Sequence, residues 1–77
     1  MGNLVADTRA LVEATIESGG SFGDATKEVR AEFSLSLRDA SFLTAKMVRV
    51  LAKDGHAGGL AMWERIKDSS FAQGLAP

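Results

Sequence analysis

Apolar residues recur along this chain at helical spacing. In the first twenty residues they are Leu4, Val5, Leu11, Val12 and Ile16. Their separations of four and seven gather them on one helical face, with Asp7, Arg9, Glu13 and Glu17 mostly off it. The pattern predicts a helix over 3–18, ended by Gly19, a residue able to take the left-handed conformation of a C-terminal cap. Ser21, with Asp24 three residues on, has the spacing of a capping box and opens a second helix over 21–33. Its apolar face is Phe22, Ala25, Val29 and Phe33.

Ser36 and Asp39 repeat that opening and start a third helix over 36–54. Its predicted inner face is Leu37, Ala40, Leu43, Met47, Val50 and Leu51, with Lys53 placed well for the helix dipole in the last turn. A shorter helix over 59–68 follows the glycines at 55, 58 and 59, with Leu60, Trp63 and Ile66 facing in. Ser70 to Gln73 has capping-box spacing again. Strict alternation occurs only from Phe33 to Leu37, too short to pair as a strand. The expected fold is therefore all-α, a small orthogonal bundle of three main helices plus a shorter C-terminal one, forming a single domain over 1–77. Leu11, Ile16, Val29, Phe33, Leu37, Met47 and Leu51 are the predicted core.

Composition narrows the possible functions. At 45% hydrophobic and 25% charged, the chain is globular rather than disordered. It has no cysteine, hence no disulfide or thiol chemistry, and a single histidine, too few ligands for a closed zinc site. His56 sits among glycines and reads as a polar loop residue. Neither a phosphate-binding glycine loop nor the Asp-Ser-Leu of an acyl carrier protein is present. Asp7 and Arg9 interrupt any secretory signal, and no uncharged run approaches the roughly 20 residues that span a bilayer. The expectation is a cytoplasmic, non-enzymatic protein with no cofactor, no metal, no small-molecule substrate and no membrane association.

Charge is the informative feature. The net formal charge is −1, yet residues 35–56 set Arg38, Lys46, Arg49 and Lys53 against only Asp39 and Asp54. Arg38, Phe42, Lys46, Arg49 and Lys53 are spaced by four, four, three and four, which aligns them in one helical stripe beside the inner face. An aromatic flanked by cations suits a protein interface. The expected function is that of an adaptor, inhibitor or regulatory subunit docking a protein through these five residues. Met62, Trp63 and Phe71 form a second candidate patch. The alternative is a helix-turn-helix DNA binder with 36–54 as its recognition helix, its cations meeting phosphates.

One stretch resembles a known family. Val29, Arg30, Leu35, Leu37, Arg38, Asp39, Ala40 and Leu43 are similar to the helical hairpin in the C-terminal domain of the ribosomal stalk protein. Ser34 and Ser36 replace that family's glycines, Thr44 replaces a valine, and its flanking strands have no counterpart here. The resemblance implies a hairpin that presents a basic face to a protein partner.

Overall fold

The computed structural model describes residues 3–69. They form a small all-helical bundle with no strand: α1 (Leu4–Glu17), α2 (Phe22–Phe33), α3 (Leu37–Lys53) and α4 (Ala57–Ile66). Ser70 and Phe71, for which the sequence predicts a further cap and a surface patch, lie outside the described residues.

Each helix begins where a side chain accepts a hydrogen bond from an otherwise unpaired backbone N–H. Asn3 Oδ1 accepts from Val5 and Ala6, at 2.9 and 3.2 Å. At α2 the capping box is complete. Ser21 Oγ accepts from the Asp24 N–H at 3.1 Å, and Asp24 Oδ2 accepts from the Ser21 N–H at 3.0 Å. Ser36 Oγ accepts from the Asp39 N–H at 3.1 Å. His56, expected in a loop, is the N-cap of α4: its Nδ1 accepts from the Gly59 N–H at 2.9 Å. The fourth helix thus starts two residues before the sequence-based boundary and takes Gly58 and Gly59 into its first turn. Each such cap stabilises its helix by about 1 kcal/mol.

The three inter-helix turns close in the same way. A left-handed residue stands at Gly19 (φ 82°), Ser34 (φ 53°) and Gly55 (φ 85°). In each turn the following N–H reaches back five residues, from Gly20 to the Thr15 carbonyl, Leu35 to Arg30 and His56 to Leu51, at 2.8–3.1 Å. This is the bond of a Schellman cap. The middle turn makes it without glycine.

α3 packs against all three other helices. A helix covered on several sides needs small residues where its neighbours approach, and Ala40, Thr44 and Ala45 are fully buried there with Val48 and Leu51. The core continues through Val12 of α1, Ala25 and Val29 of α2, and Met62 and Ile66 of α4. Thr8, Thr26 and Thr44 are buried too, and each hydroxyl donates to the carbonyl four residues back in its own helix, at 2.6–2.9 Å. Among the described residues no buried side-chain polar atom lacks a partner.

Several core expectations change. Val29, Met47 and Leu51 are buried as expected, and Ile16 and Phe33 pack half-buried against the core. Leu11 is only partly covered. Leu37 is 57% exposed, because it opens α3 at the end of the hairpin and no neighbouring helix covers it. The inward face of α3 is rotated toward Thr44, Ala45 and Val48, which leaves Val50 exposed and Leu43 half-buried. On α4 the inner stripe is Gly59, Met62 and Ile66, and Leu60 faces out.

Candidate functional site

Four turns of α3 separate Arg38 from Lys53, about 22 Å at 1.5 Å per residue. Over that length the face opposite Ala40, Thr44, Val48 and Leu51 carries Arg38, Phe42, Lys46 and Lys53, all exposed, and Arg49, half-exposed. Phe42 is 45% exposed. Ion pairs do form elsewhere: Arg9 bridges Glu13 and Asp54, and Lys67 meets Glu64. No carboxylate among the described residues lies within ion-pair distance of Arg38, Lys46, Arg49 or Lys53.

Beside this stripe the surface is hollow. Arg38, Asp39, Phe42, Leu43 and Lys46 line a depression of about 320 Å³. Leu43 and Lys46 also belong to a neighbouring apolar cleft of about 240 Å³, completed by Met47 and Val50 of α3 and by Leu4 and Val5 of α1. The two hollows thus share Leu43 and Lys46 as a common border. α1 lies alongside α3, with its first turn near the middle of α3 and Arg9 further on, donating to Asp54 at 2.8 Å. Leu4 and Val5 therefore lie across the cleft from the half-buried Leu43 and the exposed Val50.

The sequence predicts Leu4, Val5, Leu43 and Val50 all on inner faces. Leu43 does pack half-buried against the core, whereas Leu4, Val5 and Val50 are exposed and line this cleft. Of the second candidate patch, one member is not at the surface. Met62 is 5% exposed and belongs to the core, because α4 begins at Ala57 and turns Met62 inward with Gly59 and Ile66. Trp63 is half-buried against the core, and Phe71 lies outside the described residues.

The fold also brings two acids of α1 together with a histidine distant in sequence. Glu13, Glu17 and His56 each place one ligand-type atom within 4.8 Å of the others. Glu13 already accepts from Arg9 Nε at 2.6 Å, and His56 Nδ1 already accepts the cap bond of α4. A neutral imidazole accepting at Nδ1 carries its hydrogen on Nε2. Its other nitrogen is then a donor suited to a carboxylate, and ligation of an ion would cost α4 its cap.

Local fields follow the same contacts. The Arg9 guanidinium is held above its ordinary range by its hydrogen bonds to Glu13 and Asp54. Glu64 does the same for Lys67. The Asp24 carboxyl lies below its ordinary range, first through the Ser21 backbone N–H and then through the Ser21 hydroxyl. Among the described residues no helix is long and apolar enough to cross a membrane. Comparison of the chain with protein-family models, curated proteins and solved structures finds no match.

Proposed function

We propose that this is a small non-enzymatic protein-binding module, an adaptor, inhibitor or regulatory subunit, that docks its partner through the cationic and aromatic face of α3. The observation that carries the reading is the half-exposed Phe42 set among four cations that have no carboxylate partner among the described residues, beside an apolar cleft. A large aromatic kept at a surface, next to hollows that accept side chains, is the usual anatomy of a binding hot spot. Lys46 and Arg49, one turn apart, together with Arg38 give this face a positive balance over Asp39 that an acidic partner complements.

A helix-turn-helix DNA reader is the second reading. It draws on the α2–turn–α3 arrangement and the same cations. The apolar cleft favours the protein reading, since phosphate contacts have no use for Leu4, Val5 and Val50.

The test is a pull-down from cells of the source and a gel shift with duplex DNA, both run with wild type and Phe42→Ala. The expected result is a protein partner retained by wild type and lost by the variant, at a cost of at least about 2 kcal/mol in affinity. Equal recovery by both proteins overturns the reading. A gel shift whose salt slope falls by about one unit for each lost cation would establish the DNA reading instead.

A further inference from the structure

We infer that the cleft between the first turn of α1 and the middle of α3 receives an amphipathic helix of the partner, its apolar side chains bordered by carboxylates. The inference rests on the protein-docking reading above and names the chemistry of the partner.

Three observations lead to it. The first is shape. The cleft is walled by two helices and lined by Leu4, Val5, Leu43, Met47 and Val50. A concavity takes protruding side chains, whereas insertion into a lipid surface needs apolar groups that themselves protrude. The second is the backbone. Both walls are helices whose main-chain groups are bonded internally, and no strand edge exists among the described residues. An extended segment would find no ladder to join, so an incoming chain must satisfy its own N–H and C=O groups, as a helix does. The third is charge. Lys46 stands at the rim of the cleft itself, with Arg38, Arg49 and Lys53 along the same helix, none paired with a described carboxylate. A helix with anchors at i, i+3 or i+4, and i+7 spans about 10 Å and sets its flanking residues on the α3 side beside Lys46, with the other cations further round the same helix.

The test uses two synthetic peptides, each about four turns long, with identical leucine anchors. One has Glu at the flanking positions and its twin has Gln. Each is titrated into the isotopically labelled full chain at low and moderate salt. The acidic peptide is expected to shift the amides of residues 4–5 and 42–50, and to bind about tenfold more tightly than its twin at low salt. Lys46→Glu with Arg49→Glu should erase that preference while leaving the unbound spectrum folded. Val50→Asp, at an exposed position, should weaken both peptides.

Equal binding by the two peptides, or shifts confined to another face, overturns the acidic-helix inference. The docking reading then still stands if Phe42→Ala loses its cellular partner. Duplex DNA moving the α3 amides where neither peptide does overturns both. Concentration-dependent self-association that shifts these same amides makes a second copy the occupant and overturns the inference alone.

Discussion

A Cβ added to Gly59 would lie 2.6 Å from Leu51 Cβ and 3.3 Å from the Ala52 nitrogen. α4 crosses α3 at a distance only glycine permits, and the obstacle is close to main chain rather than a flexible side-chain end. Gly59→Ala is therefore expected to destabilise by about 1–3 kcal/mol, against the roughly 1 kcal/mol that alanine gains in helix propensity. At Gly58 the added atom would come closer still to Ile16 Cγ2, a methyl on a helical β-branched side chain with little χ1 freedom. Gly58→Ala should therefore also destabilise, by about 1–3 kcal/mol, and urea unfolding of the two variants checks both values.

Ser34 occupies the left-handed position that glycine fills in the other two turns. That conformation costs a residue with a side chain about 1–2 kcal/mol, partly offset by the greater unfolded freedom of glycine. Ser34→Gly should raise stability by about 0.5 kcal/mol, and Ser34→Val should lower it by more than that. Thermal unfolding that ranks valine above glycine would contradict the turn geometry.

Leu51 and Leu37 test the rotated face of α3. Leu51→Ala removes a fully buried side chain and should cost about 2–5 kcal/mol. Leu37→Ala removes an exposed one and should cost below about 1 kcal/mol. Phe42→Ala should resemble Leu37→Ala in stability, so its binding defect can be read separately from folding.

Asp24 predicts a pH effect. Its folded carboxyl titrates below the ordinary value, so its contribution is complete above the unfolded value of about 3.9 and is lost as pH falls through the folded one. The stability gap between wild type and Asp24→Asn should be constant near neutral pH and narrow below about pH 4. A gap unchanged down to pH 2 would mean that the capping carboxylate contributes nothing through its charge.

Helix count, the Ser21 and Ser36 caps and the Gly19 turn were legible because each rests on local chemistry: a hydroxyl three residues before an acid, or a glycine after an apolar run. Rotation of the faces was harder to read. The buried positions of α3 and α4 include Ala40, Thr44, Ala45 and Gly59, residues that hydrophobic periodicity barely weights, so the stripe drawn through larger side chains pointed to one side of the true interior. The Arg38 to Lys53 stripe was legible for the converse reason, since charge marks the outside directly. The cleft beside it depends on where α1 lies against α3, which no spacing within either helix encodes.

Thr8 and Thr44 spend their hydroxyls on carbonyls of their own helices, α1 and α3. No buried hydroxyl in these two helices therefore ties one to the other. α1 is instead seated by the packing of Thr8 and Val12, both fully buried, with Ile16 against the core, and the exposed pair of Arg9 with Asp54 adds little. The width of the cleft under Leu4 and Val5 is therefore set by side-chain volume beneath α1 and not by directional bonds, so a change of volume at Val12 would alter it from the far side of the helix.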